Sequence, residues 1–432
     1  MSREKLKTNA FLGKTDGILL VNKPSGPTSH DIIDQVRKIT GTKKVGHAGT
    51  LDPFASGLLL VAVGDATKLL KHYVGLDKEY KAVLRLGAVS DTYDRTGKIS
   101  KFQFPSAAAD SKFPITKSQI QKVLKSFVGK QKQVPPMYSA KKIGGKKLYE
   151  LAREGKTIKR KAEHVEIFEI KLLSLKGDLL HMQCRVSSGT YIRTLAHDIG
   201  EKLGTGAYLE ELKRTRIGDF RLEEAIRVIV KESAASDDRS NPSNAPGVAS
   251  AISSGQRGIR TASLCSSSAR NGTGTTTNWG RHLIPVKTVL VSGTFDGVHE
   301  GHRDYFRQAR SLAEKSGAIS KLVCIVGRAS IVEKIKGARP HLLAKERIKL
   351  LKQCPEIDQV FLGAPGADRD IFDFVASLKP DIIALGYDQK AYTRNLKGEM
   401  RKRKLDVSVA RLKPFKTNEF KNSIIKKTRP NA

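Results

Sequence analysis

The sequence predicts two unlike folds in one chain. Residues 15–232 read as an α+β domain on a mixed, mainly antiparallel sheet, and residues 284–429 as a separate α/β domain on a parallel sheet. Three observations predict this. In the first part, strand-like and helix-like runs follow one another with local hairpin patterns. In the last part, the short apolar runs TVLVSG, KLVCIVG, QVFLG, DIIALG and DVSVARL are separated by helical stretches. That order implies right-handed βαβ units under a sheet covered on both faces. Between the two, residues 233–283 hold eleven serines from Ser233 to Gly280 and little that is apolar. A segment so polar cannot offset its ordering entropy by burial, so it reads as a flexible or disordered linker. A junction between two neighbouring reading frames is the other reading of it.

The first domain opens with GILLVNKP (17–24), an apolar strand ended by proline. Ser29–Ile39 follows with helical spacing and Thr28 or Ser29 at its N-cap. Leu58–Val63 is a continuous apolar run and reads as a buried strand, and LHMQCRV (180–186) alternates like a half-buried one. Tyr191–Leu203 has helical spacing. In the second domain, helices are expected over Gly301–Lys315, Ala344–Gln353, Arg369–Leu378 and Thr393–Arg403.

Charge narrows the function classes. The 432 residues carry 78 Lys+Arg against 43 Asp+Glu, a net +35. Such an excess favours polyanions and releases counterions on meeting phosphates. No apolar run approaches the roughly 20 residues that cross a membrane. The start lacks the pattern of a signal peptide. Cys184, Cys265, Cys324 and Cys354 are scattered, without a CxxC pair or a His cluster. Neither a disulfide framework nor a metal site is expected, and the chain reads as cytoplasmic.

Two segments concentrate chemistry-bearing residues. Gly46–Gly57 (GHAGTLDPFASG) packs three glycines and a proline around one carboxylate, Asp52, just before an apolar strand. An irregular loop resting on a buried strand can hold a reactive group rigidly. By itself a loop Asp is more often a turn former. Farther on, His299-Glu300-Gly301-His302 falls between a strand and a helix start, a ready anion site.

The first segment does not stand alone. DGILLVNKPSGPTSHD (16–31), GHAGTLDPFASGLLLV (46–61), KEYKAVLRLGAVSDTYDRTG (78–97), PPMYSAKKIGGKKLYELAREG (135–155) and SSGTYIRTLAHDIGEKLGTGAYLEELKRTRIGDF (187–220) together resemble the TruB family of tRNA pseudouridine synthases. Ser90 departs from the usual Thr, and no PUA-type RNA-binding module is recognisable after residue 232. The resemblance implies the pseudouridine synthase fold and isomerisation of uridine 55 in the T-arm of tRNA, without a cofactor. It implies Asp52 as the essential carboxylate and Tyr80 stacked on the target base. Tyr191 would contact the substrate, Arg193 would pair with Asp52, Leu212 would line the base pocket, and His47 would fill the space left by the flipped base. The basic pairs Lys141-Lys142 and Lys213-Arg214 are expected on phosphates. A catalytically silent RNA chaperone is the competing reading.

In the last domain, VSGTFDGVHEGHRDYF (291–306) resembles the HxGH signature of the nucleotidylyltransferase superfamily, which has a Rossmann-like fold. KGARPHLLAKERIKLLKQCPEIDQVFLG (336–363) and KPDIIALGYDQ (379–389) resemble its cytidylyltransferase-like branch, archaeal-type FAD synthases in particular. The resemblance implies His299 and His302 as catalytic groups, and Thr294, Phe295, Gly301, Asp388 and Ser423 at the nucleotide. It implies ATP with FMN, or CTP with a polyol phosphate, and a magnesium ion with the triphosphate. The hydroxyl-rich segment of that family is reduced here to Ser423 in FKNSI (420–424). A degenerate nucleotide-binding or RNA-binding module is therefore the alternative. No protein partner is implied.

Overall fold

The structure, a computed structural model, describes residues 16–102, 115–139, 142–143, 146–148, 151, 158, 160–231, 261–265, 282–364, 368–390, 393 and 395–415. Contacts divide the described residues into two compact units, the first taking those from Leu19 to His282 and the second those from Leu283 onward together with Asp16–Ile18.

Strand β1 (Gly17–Lys23), which lies in the first unit from Leu19 on, is buried along nearly its whole length. Helix α1 (Ser29–Thr40) follows, closed at its start by a capping box. Thr28 Oγ1 accepts from Asp31 N, and the Asp31 carboxylate accepts from Thr28 N. Two orphan amides are satisfied in this way. The short β2 (Val45–His47) pairs antiparallel with β3 (Ser56–Val63), and the Asp52 loop is the connection between them. Then come β4 (Lys78–Leu86), α2 (Lys117–Lys125), β5 (Gly129–Gln133), β6 (Glu163–Lys176), β7 (Leu179–Val186), α3 (Ile192–Leu203) and β8 (Ala207–Ile217). The strands form one sheet in the order β1-β3-β8-β4-β7-β6-β5. Pairing is antiparallel from β8 to β5, while β3 and β8 run parallel. The mixed, mainly antiparallel sheet expected from the sequence is present. Helix α3 lays Leu195, Ala196 and Ile199 on a core with Leu84, Leu180, Met182 and Leu209. Burial of this kind stabilises by roughly 25 cal/mol per Å² of apolar surface.

Strand β9 (Ile226–Lys231) pairs parallel with β1 and antiparallel with β10 (Thr261–Cys265). Strand β10 falls inside the segment read from its composition as a linker. Its residues T-A-S-L-C carry alternating apolar side chains that a tally of serines conceals. The rest of that segment lies outside the described residues.

Among the described residues the second unit holds a five-stranded parallel sheet. Its strands β11 (Leu283–Gly293), β12 (Ile319–Val326), β13 (Gln359–Leu362), β14 (Ile382–Leu385) and β15 (Ser408–Arg411) take the order β13-β12-β11-β14-β15. Helices α4 (Glu300–Glu314), α5 (Ala329–Lys336), α6 (Ala344–Lys352), α7 (Asp368–Ser377) and α8 (Leu396–Lys402) connect them. Both faces are covered, as the sequence predicts. Val289 and Val291 join Phe306, Ala309 and Leu351 on one face, whereas Leu290 joins Leu396 and Met400 on the other. Helix α8 starts at Leu396 rather than Thr393, because Asn395 ahead of it is in the left-handed region at φ 54°. Strand order reverses on either side of β11, and such sheets bind ligands in the crevice beyond their carboxyl ends. The HEGH segment stands there.

Two candidate active sites

Asp52 is held by anchors from outside its own loop. Lys23, fully buried at the end of β1, donates to the carbonyls of Pro24 (2.9 Å), Pro27 (2.7 Å) and Pro53 (3.2 Å). Ser25 donates to Phe54 O at 2.8 Å. Ser29 bonds both Leu51 O (3.1 Å) and Leu51 N (2.9 Å). Arg214, almost fully buried, donates to Leu58 O (2.7 Å) and Gly49 O (3.1 Å). Gly57 lies beside it at φ 106°, where a Cβ would stand 2.3 Å from Arg214 O. Only glycine allows both that backbone angle and that approach.

The Asp52 carboxylate meets Arg193 from the first turn of α3. Nε is 3.0 Å from Oδ2 and the guanidinium also reaches Oδ1 at 3.4 Å. The same guanidinium donates to the buried Asp94 (3.1 Å) and to Tyr138 O (2.8 Å). Asp94 in turn accepts from Thr92 Oγ1 (2.9 Å) and Thr96 N (2.9 Å). Asp52 keeps 35% of its side-chain surface open. Burial pushes its carboxyl above the ordinary aspartate value; Arg193 pulls it down, Asp94 pushes it up, and Lys23 and Arg214 pull it down again. The ion pair therefore does not by itself set the charge on Asp52. The same buried environment lowers the Lys23 ammonium to about 8.

Around this pair stand the other expected residues. Tyr80 on β4 and Leu212 on β8 pack in one cluster with Leu51 and Phe54, which flank Asp52 in the loop. Tyr191 is the N-cap of α3, fixed by Gln133, which donates to its carbonyl (3.0 Å) and accepts from its amide (2.8 Å). His47 lies edge-on to His30 at 5.7 Å, and burial lowers its imidazole to about 4. It is neutral at pH 7. The Asp52 carboxylate thus keeps one side open, with Arg193 against it and apolar residues packed on its loop.

In the second unit, a cavity of about 660 Å³ opens at the carboxyl end of the sheet. Thr294, Phe295, His299, Gly301, His302 and Asp388 all line it. The two imidazoles are stacked, 3.9 Å between centroids. Burial, with His299 and Lys336 adding to it, lowers His302 to about 3, so it is a neutral hydrogen-bonding group at pH 7. Phe295 adopts φ 52°, a costly angle for an aromatic residue, and packs edge-on to His302 at 5.2 Å. Two links hold this turn. Arg347, fully buried, donates to Thr294 O (2.7 Å) and Gly327 O (2.8 Å). The Asp296 carboxylate accepts from His341 N (2.9 Å) and Leu342 N (2.8 Å). Among the described residues no group of three or more His, Cys, Asp or Glu could hold a metal ion. Among them, too, no helix is long and apolar enough to cross a membrane.

Comparison with known proteins finds matches in both units. Residues 37–192 match the TruB family pseudouridylate synthase N-terminal domain, and residues 193–234 the tRNA pseudouridylate synthase B C-terminal domain. The tRNA pseudouridine synthase B of Thermotoga petrophila is 46% identical over 212 residues, 49% of this chain and 66% of that protein. That of Solibacter usitatus is 40% identical over 224 residues, 52% of this chain and 74% of that protein. The chain belongs to the TruB family. It spans about two thirds of the length of the Thermotoga relative. A chain of a solved Cbf5-Nop10-Gar1 complex is similar at 32% identity over 49% of this chain and 52% of that one, with a TM-score of 0.38. Residues 290–428, outside the TruB unit, match a cytidylyltransferase-like domain.

The structure brings Asp52, Arg193, Tyr80, Leu212 and Tyr191 of the TruB unit into one neighbourhood. It corrects one basic pair. Lys213 is exposed, but Arg214 points inward and serves carbonyls, so it cannot hold a phosphate. Lys141 and Ser423 lie outside the described residues. Lys23, Asp94, Gln133 and Arg214 were not expected at the site. The available signal was their polarity inside otherwise apolar strands or beside turns, such as a lysine closing GILLVN.

Proposed function

We propose that the TruB unit isomerises uridine to pseudouridine in tRNA, at uridine 55 of the T-arm, without a cofactor. The carrying observation is the Asp52 carboxylate, gripped at both oxygens by Arg193 yet partly open, in a loop whose Leu51 and Phe54 pack with Tyr80 and Leu212. The target base leaves its stack to enter, at a cost of a few kcal/mol that pocket contacts offset. The N-glycosidic bond at N1 breaks, the uracil turns, and its C5 bonds to the same sugar carbon; C5 gives up its proton to solvent and N1 gains one, so the change is an isomerisation. Asp52 attacks the sugar or stabilises positive charge developing on it. Arg193 fixes the carboxylate in place. Neutral His47 helps fill the space vacated by the base. The net charge of +35 favours an RNA substrate. Asp52→Asn tests this: tritium release from labelled tRNA should cease while tRNA binding persists.

The second unit, in the same proposal, transfers a nucleotidyl group from a nucleoside triphosphate to a phosphorylated acceptor. An acceptor phosphate oxygen bonds to the α-phosphorus and the bond to pyrophosphate breaks. His299 and His302 stand at the cavity wall to stabilise charge on the pentavalent transition state, with Thr294, Phe295, Gly301 and Asp388 around the nucleotide. A magnesium ion would arrive with the triphosphate as part of the substrate. ATP with FMN is the first pair, on the strength of the Gly386–Gln389 segment. CTP with a polyol phosphate is the second, favoured by the cytidylyltransferase-like match. Pyrophosphate release across this panel tests both. Silence throughout, with nucleotide binding intact, would leave a binding module.

A further inference from the structure

The loop Gly386-Tyr387-Asp388-Gln389 forms one wall of the second unit's cavity, and all four residues line it. It leaves β14 directly, at the ligand-binding end of the parallel sheet. A loop in that position has a polarity problem. Peptide carbonyls facing a triphosphate or an acceptor phosphate repel it, whereas peptide N–H groups attract it.

Here the carbonyls are occupied. Nη1 of Arg411 donates to Gly386 O (2.8 Å) and Gln389 O (2.8 Å), with a longer contact to Tyr387 O at 3.4 Å. Arg411 ends β15 and is paired in register with Leu385, the last residue of β14. Strand pairing itself delivers the guanidinium to the loop. Gln389 ties the inner side: its Oε1 accepts from Gly386 N (3.0 Å) and its Nε2 donates to Ser292 O (2.5 Å). Arg411 is not among the residues lining the cavity. Its carbonyl partners are therefore drawn toward a cation outside the ligand space.

We propose that Arg411 is a positioning residue for nucleotidyl transfer, holding three loop carbonyls away from bound phosphates so that Tyr387, Asp388 and Gln389 present the loop to the ligand. This rests on the nucleotidyltransferase reading above. Without the guanidinium, the loop regains freedom to turn its carbonyls inward. The loss falls on ground-state binding of the anion more than on the chemical step, because the two imidazoles sit on a separate segment.

The test uses the full chain as wild type, Arg411→Met and Arg411→Lys. Calorimetric titration with magnesium and ATP, or magnesium and CTP, reads binding. Pyrophosphate release reads kcat and KM, and thermal melting reads the fold. Arg411→Met should weaken nucleotide affinity and raise KM about tenfold, with kcat changed less than about threefold and melting unchanged. Arg411→Lys should recover most of the affinity, since an ammonium has three donors for the same carbonyls. An Arg411→Met protein with wild-type affinity and KM would overturn the proposal alone. So would an Arg411→Lys protein as impaired as Arg411→Met, both melting early, which would mark a merely structural arginine. A wild-type chain that neither binds ATP or CTP nor releases pyrophosphate would overturn the nucleotidyltransferase reading, and this inference with it.

Discussion

Arg193 shares one guanidinium between two carboxylates, Asp52 at 3.0 Å and Asp94 at 3.1 Å. Asp94 is buried and saturated by hydroxyl and amide donors, so it is the fixed end of the arrangement; Asp52, partly open, is the working end in the proposed reaction. Removing the fixed end should loosen the working one. Asp94→Asn is expected to lower kcat for pseudouridine formation about 10- to 100-fold, with tRNA affinity within about threefold of wild type. Asp52→Asn should abolish turnover. Single-turnover tritium release on both variants checks the ranking, and equal loss in the two would contradict it.

The same pair predicts a pH effect. Burial holds the Asp52 carboxyl above its ordinary value, and the Asp94 charge adds to the rise. In the proposed reaction turnover needs the ionised form, so the acid limb of kcat/KM should lie above about 3.9, the unperturbed aspartate value. Replacing Asp94 by Asn removes a negative neighbour and should move that limb to lower pH. A limb that stays in place, or moves up, would show that Asp94 acts on geometry alone.

His47 gives a stability signature of opposite chemistry. Its folded pKa, about 4, lies below the unfolded 6.5. Between those values the unfolded chain binds a proton that the folded chain refuses. Stability should therefore fall as pH drops from 6.5 toward 4, and should be insensitive to this group above 6.5. His47→Gln should flatten that part of a melting-temperature profile of the TruB unit. An unchanged slope would assign the titration elsewhere.

Lys23 anchors three carbonyls from a fully buried position. Lys23→Met keeps the length of the stem but leaves those carbonyls short of donors, at about 1–3 kcal/mol. A lowered denaturant midpoint with an unchanged m-value would agree. Undiminished stability would mean that water replaces the ammonium.

His302 should act on the transition state of the second reaction more than on binding. His302→Ala is then expected to lower kcat by about 100-fold or more and to change KM by less than about fivefold. The converse pattern, a large KM change with kcat intact, would make His302 a binding residue only.

Much of both folds was readable from local pattern. Period and capping residues placed α1 and α3 to within a residue or two, and alternation placed β7. The eight-residue α5 escaped because A-S-I-V-E-K-I-K is too short to fix a period. What local pattern could not reveal is which distant polar groups converge. Arg214 is 165 residues from the carbonyl of Gly49 that it serves, and Arg193 is 99 residues from Asp94. Only the parallel β3–β8 pairing and the placing of α3 bring them together. The reading of Lys213-Arg214 as a phosphate-binding pair failed for that reason: in β8, neighbouring side chains point to opposite faces.

The Asp52 loop is anchored at Gly49, Leu51, Pro53, Phe54 and Leu58 by Arg214, Ser29, Lys23 and Ser25. Its length is consequently as constrained as its composition. One residue spans about 3.3–3.6 Å of extended chain, more than the reach of any of these bonds. Deleting or inserting a single residue between Gly49 and Leu58 would put several anchors out of step at once. Surface loops ordinarily drift in length between relatives. This one should behave like a gauge block, with side chains free to vary only where no anchor touches them.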